Sequence, residues 1–139
     1  MKNTALLLAA VLLTACAAQD PAEEQSTQDT AQAIRDFIEV RDLQSVDKIS
    51  TSSSDSWTEL DQHFLLYEGR RESHLVEFIR RCWELDDNTR IVPDQRRSGS
   101  TIYARFDTIR GCRIRHLYEL TEHEIAELES IGEAVGSRN

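Results

Sequence analysis

The chain predicts a mainly β fold: a small antiparallel sheet, barrel-like or sandwich, with a C-terminal α-helix. Three observations carry this. Between Asp36 and Leu120 the apolar residues come in short runs broken by turn residues, which is the pattern of strands. Thr121-Glu122-His123-Glu124 is a capping box, and Ile125, Leu128, Ile131 and Val135 then recur at helical spacing. The chain has 139 residues, enough for one small core and marginal for two.

In chain order, Lys2 supplies a positive start and Ala5 to Leu13 an apolar run, long enough for an export signal and far short of the roughly 20 residues that span a bilayer. Leu13-Thr14-Ala15-Cys16 has the order apolar, small, small, Cys, and resembles the cleavage site of bacterial lipoprotein precursors. The resemblance implies removal of residues 1–15 and lipidation of Cys16, whose two or three acyl chains would hold the protein on a membrane. Ala17 and Ala18 follow in place of the Asp that marks inner-membrane retention in enterobacteria. The expected location is therefore the outer membrane of a Gram-negative bacterium, facing the periplasm. Residues 16–35 are expected to form the lipidated Cys and a flexible tether, because Ala17 to Thr30 holds no aliphatic side chain larger than Ala.

The β-rich domain is expected over residues 36–120. Its runs are Phe37-Ile38-x-Val40, Val46-x-x-Ile49, Phe64-Leu65-Leu66-Tyr67, Leu75-Val76-x-Phe78-Ile79, Ile91-Val92, Ile102-x-Ala104-x-Phe106 and Ile114-x-x-Leu117. Glu68-Gly69-Arg70-Arg71 reads as a hairpin connection, Gly69 being free to take positive φ. Arg96-Arg97-Ser98-Gly99-Ser100 reads as a second turn, and Ser50 to Ser56 as a polar loop. Leu75 to Trp83 fits a strand better than a helical turn. The helix is expected over residues 121–135, with a tail at 136–139.

With Cys16 lipidated, Cys82 and Cys112 remain, and in an oxidising compartment a bridge is their default. A Cys nucleophile paired with a His, or two free thiols, are the alternatives. Net charge runs −9 over residues 16–69, +4 over 70–115 and −5 over 116–139, with His neutral. The basic residues of the central segment are all Arg, among them Arg70-Arg71, Arg80-Arg81, Arg96-Arg97 and Arg113-x-Arg115. Arg's planar fork suits carboxylate and phosphate. Either these arginines pair with the acidic tail of the same chain, or Arg70, Arg71, Arg113 and Arg115 form a surface for an envelope protein or an anionic envelope component. A chain of net charge −9 outside the cytoplasm argues against nucleic acid.

The segments Val46-Asp47-Lys48-Ile49, Phe64 to Gly69, Arg81 to Leu85, Phe106 to Ile109 and Gly111 to Ile114 resemble a family of small uncharacterised proteobacterial lipoproteins, a domain of unknown function. The resemblance implies the same fold and location and brings no catalytic residues. Many members carry two further cysteines, near the positions of Phe37 and Ala104, which this chain lacks. Loss of one bridge would remove both, which supports pairing of Cys82 with Cys112.

The chemistry-bearing residues point to no catalytic, metal or cofactor site. His123-Glu124 lacks the second His of a zincin, Ser98-Gly99-Ser100 is not a nucleophile elbow, and Asp86-Asp87-Asn88 lacks EF-hand spacing. Trp57, Trp83, Tyr67, Tyr103 and Tyr118 are expected to pack rather than to line a sugar site. The expected function is a non-enzymatic binding or accessory module. The alternatives are a small hydrolase using His116 with Glu119 or Glu122, and a purely structural or stress-related lipoprotein.

Overall fold

The structure, a computed structural model, describes residues 21–52, 54–85, 94 and 100–136. Its sheet is antiparallel throughout, in the order β1 (Ser45–Val46), β8 (Cys112–Leu120), β5 (Ser73–Phe78), β4 (Phe64–Glu68), β3 (Ser56–Asp61). β7 (Thr108–Ile109) pairs with the first two residues of β8, and β2 (Lys48–Ser50) with β6 (Thr101–Tyr103) forms a separate small pair. The mainly β antiparallel class is as the sequence predicts, and so is the closing helix, α2 (Glu122–Gly136). The capping box forms: the Glu124 carboxylate accepts the Thr121 N–H at 2.7 Å, and the Thr121 hydroxyl accepts the Glu124 N–H at 3.4 Å.

A second helix was not expected. α1 (Pro21–Val40) covers most of the presumed tether and the Phe37-Ile38-x-Val40 run that reads as a strand. Pro21 stands at its start, where a missing N–H costs nothing. Ala31, Ile34 and Ile38 fall at i, i+3 and i+7, and Ala31 and Ile34 are fully buried. The ordered domain thus includes residues that composition assigned to a tether.

The sheet is covered on both faces. Phe64, Leu66, Leu75 and Leu120 meet Ala31, Ile34 and Leu128 of the two helices, while Leu65, Tyr67, Val76, Phe78, Ile114 and Leu117 meet Ile49 and Ile102 of the β2–β6 pair. Strands buried on both faces read as continuous apolar runs, which is why Phe64 to Tyr67 shows no alternation. In β8 Arg115 is an extra residue, since Glu77 pairs with His116 and Phe78 with Ile114. The bulge explains the spacing Ile114-x-x-Leu117: two residues that strict alternation would send to opposite faces both enter the same core.

The structure joins Cys82 and Cys112, with Cα atoms 5.7 Å apart. The Leu75 run is a strand to Phe78, and Trp83–Leu85 then make one 3₁₀ turn. The Ile102 run ends as a strand at Tyr103, because Arg105 turns the chain at φ 68°. Val46 and Ile49 fall in different sheets. Residues 1–15, Cys16, Asp86-Asp87-Asn88, Arg90, Ile91-Val92, Arg96 and Arg97 lie outside the described residues. Among the described residues, no helix is long and apolar enough to cross a membrane.

Candidate binding site

The β4–β5 connection and the loop that leads from β2 to β3 build a cleft between them. Tyr67 pairs with His74 and Glu68 with Ser73, so residues 69–72 make the turn, and the Gly69 N–H closes it on the Glu72 carbonyl at 3.1 Å. Gly69 sits so close to its neighbours that a Cβ there would lie 2.7 Å from the Tyr67 hydroxyl and 2.9 Å from the Glu72 carbonyl oxygen. The turn needs glycine here for close approach, not for an unusual φ.

Tyr67 is the pivot. Its ring is buried against Trp57, centroids 4.6 Å apart, and its hydroxyl donates toward the Ser50 carbonyl at 2.8 Å and the Asp55 carboxylate at 2.5 Å. Asp55 also accepts the Ser52 N–H. One side chain thereby ties a loop too polar to pack to the edge of the core. Burial, reinforced by the Asp55 carboxylate, pushes the Tyr67 phenol well above its ordinary pKa and keeps it a neutral donor.

The resulting cleft has a volume of about 390 Å³ and is lined by Ser50, Thr51, Ser52, Tyr67, Arg70 and Arg71, with Asp55 and Glu72 also on its wall. Asp55 is engaged by Tyr67 and Ser52. Arg70 and Arg71 are exposed, and neither makes an ion pair among the described residues. Two guanidiniums beside hydroxyl-bearing residues can hold a carboxylate or phosphate by charge-assisted hydrogen bonds.

The four arginines read as one surface do not lie together. Arg113 and Arg115 are exposed at the far end of β5 and β8, where the Arg115 guanidinium donates to the Ile79 carbonyl at 3.0 Å. The length of β5, roughly 17 Å at the usual rise per residue, separates them from Arg70 and Arg71. Arg41 reaches the acidic C-terminal helix, paired with Glu127, and it belongs to the acidic N-terminal part of the chain rather than to the central basic segment.

His116 pairs with neither Glu119 nor Glu122. Its Nδ1 lies 3.0 Å from the buried Glu77 carboxylate and 3.2 Å from the Tyr118 hydroxyl, since register places it opposite Glu77. Burial, and then the Glu77 charge, pushes the Tyr118 phenol up to about 12. His63 faces Asp61 at 3.4 Å, where burial raises the Asp61 carboxyl above its ordinary pKa despite the opposing His63 contacts. His74 is buried behind Tyr67 with no partner for its Nδ1 among the described residues, and burial lowers its pKa. Cys82, Glu84 and Cys112 cluster within 4.8 Å, but the two sulfurs are bonded to each other, which removes both as metal ligands. The aromatic residues do not share a surface: Trp57 and Tyr67 pack together near the cleft, Tyr118 stands with His116 beneath the helices, and Trp83 lies next to the disulfide.

Sequence reasoning finds Arg70, Arg71 and the Gly69 turn. It misses Tyr67 and Asp55 as partners, because nothing in their spacing shows that residues 50–55 fold back over the β4–β5 end. No curated protein and no solved structure matches the chain significantly. A family model does, over residues 1–133, and it covers α1, every described strand, the cleft and α2 as far as residue 133. The chain belongs to the family of unknown function DUF6491.

Proposed function

We propose that the protein is a non-enzymatic binding module of the cell envelope that holds an anionic group of an envelope component in the Arg70–Arg71 cleft. The observation that carries this reading is the pair of guanidiniums at the rim of a formed cleft, without ion pairs among the described residues, in a chain whose overall charge is −9. Two adjacent guanidiniums at the cleft's rim, with Asp55 already held by Tyr67 and Ser52, favour a local anionic ligand over general electrostatic adhesion. In the same reading Cys16 carries the lipid anchor on the outer membrane, facing the periplasm. With α1 starting at Pro21, the linker from Cys16 would span at most roughly 17 Å, holding the domain close to the lipid surface.

The test is co-sedimentation of the protein with purified peptidoglycan sacculi, whose carboxylates supply the anionic group, with inorganic phosphate as competitor. Arg70→Glu with Arg71→Glu should weaken capture by at least about tenfold while the melting temperature holds. Equal capture of this variant would remove the cleft as the binding site. For the anchor, Cys16→Ser should abolish incorporation of labelled fatty acid and release the protein from the membrane fraction; unchanged labelling would refute lipidation at Cys16.

A further inference from the structure

The opposite end of the sheet carries a second surface, independent of the cleft. β8 residues 112–115 are its hub. The disulfide brings Cys82, and with it Trp83, beside Cys112; the Ile79 N–H donates to the Arg113 carbonyl at 3.0 Å, and the Arg105 N–H to the Ile114 carbonyl at 3.0 Å, which sets Phe106 next in line. Three large apolar side chains are therefore gathered around four residues, and all stand in solvent: Ile79 is 45% exposed, Trp83 49% and Phe106 66%. Arg80, Arg105, Arg113 and Arg115 are exposed among them, and the Arg81 guanidinium stacks over the Trp83 ring at 4.0 Å.

The acidic groups nearby are mostly engaged. Asp107 accepts the Tyr103 N–H, Asp94 accepts from Thr108 and Gly111, and Glu77 is held by His116 and Tyr118. Glu84 is exposed, with a carboxylate oxygen 3.1 Å from the Cys112 sulfur. Among the described residues the exposed charges of this end are thus mostly Arg, because Glu77 and Asp107 are buried, whereas the chain as a whole is acidic.

We infer that this end of the domain docks on the headgroup region of an anionic phospholipid bilayer. Trp and Phe that project beside arginines have the composition of an interfacial contact, with rings at headgroup depth and long Arg stems that reach the phosphates. Each such cation adds about one kcal/mol-scale attraction to an anionic leaflet, roughly a fivefold gain in partition. A protein partner would be expected to meet pockets that receive its anchoring side chains, but here the apolar groups project outward. The acidic charge elsewhere on the chain would repel the same leaflet and so orient the domain with this end down.

Vesicle co-sedimentation tests the inference, using the full chain with Cys16→Ser so that no acyl group contributes. Variants of one chain are compared, which cancels whatever residues 1–15 add. Binding to vesicles of phosphatidylglycerol and phosphatidylethanolamine should fall at least about tenfold in Arg113→Glu with Arg115→Glu, and should also weaken in Trp83→Ala. It should be unchanged in Arg70→Glu with Arg71→Glu, so loss of the cleft reading and loss of this one are told apart. If the charge reversal on β8 lowers the melting temperature, Arg80→Glu with Phe106→Ser serves instead. Equal binding by the reversed variant, equal binding to phosphatidylcholine vesicles, or retention on polyglutamate resin without vesicle binding would each overturn the assignment; the last would point to an acidic protein segment.

Discussion

At Gly69 the absence of one carbon atom sets the geometry of the cleft. Gly69→Ala would press a methyl group on the Tyr67 hydroxyl and on the Glu72 backbone, and since that backbone belongs to the turn itself, relief must come from displacement of Tyr67 or of the turn. The expected cost is about 1–3 kcal/mol in denaturant unfolding, the range for overpacking, with loosening of the Ser50–Asp55 loop as its corollary. His74 supplies a second prediction. Its folded-state pKa is depressed by burial, so the unfolded chain binds the proton more readily, and stability falls as pH drops through the ordinary histidine value near 6.5. Melting temperature should therefore decline between about pH 7 and pH 5, and His74→Phe should flatten that part of the profile. The buried Asp61 acts in the opposite sense, because its raised pKa favours the folded state as pH falls, which makes the difference between parent and variant the informative quantity.

Among the elements, α1 departs furthest from expectation, and its energetics show why it matters. Ile34 is fully buried between the sheet and Leu128, so Ile34→Ala should cost about 2–5 kcal/mol. A chain that begins at Asp36, the boundary drawn from composition, should fail to give a cooperative thermal transition because it uncovers Phe64, Leu66 and Leu75. The strands were legible wherever an apolar run stood between turn residues, as at Phe64–Tyr67 and Leu75–Phe78, and α2 was legible from its cap. α1 was not, since Ala31 and Ile34 are the first apolar marks of its buried face and the Phe37-Ile38-x-Val40 triplet has the same residues as a strand. At the site, Arg70, Arg71 and the turn were local features and therefore visible. The contacts of Tyr67 with Ser50 and Asp55 span 17 and 12 residues and depend on a loop path that no periodicity encodes. The separation of Arg113 and Arg115 from Arg70 and Arg71 follows from strand length, which becomes informative only when register is known.

For the molecule as a whole, the link between Cys82 and Cys112 fastens the segment that follows β5 to the start of β8 and closes a loop of about 31 residues. Replacing both cysteines by Ser should lower stability by about 3.7 kcal/mol on the chain-entropy account, read from the denaturant midpoint at unchanged slope. The interior would otherwise stay intact, because Cys82 and Cys112 line only one of the two cores. β8 has a further consequence, which concerns the order of assembly. It is the strand on which β1, β5 and β7 all register, and Ser45 finds its partner only at Tyr118. A nascent chain emerging from its N-terminus can form the β3–β4–β5 meander early, yet neither core can close until β8 is free, and the helix-side core waits also for Leu128. Pairing so distant in sequence makes folding slow relative to local structure. The unfinished chain therefore lacks a closed core on either face of its meander until its last strand arrives.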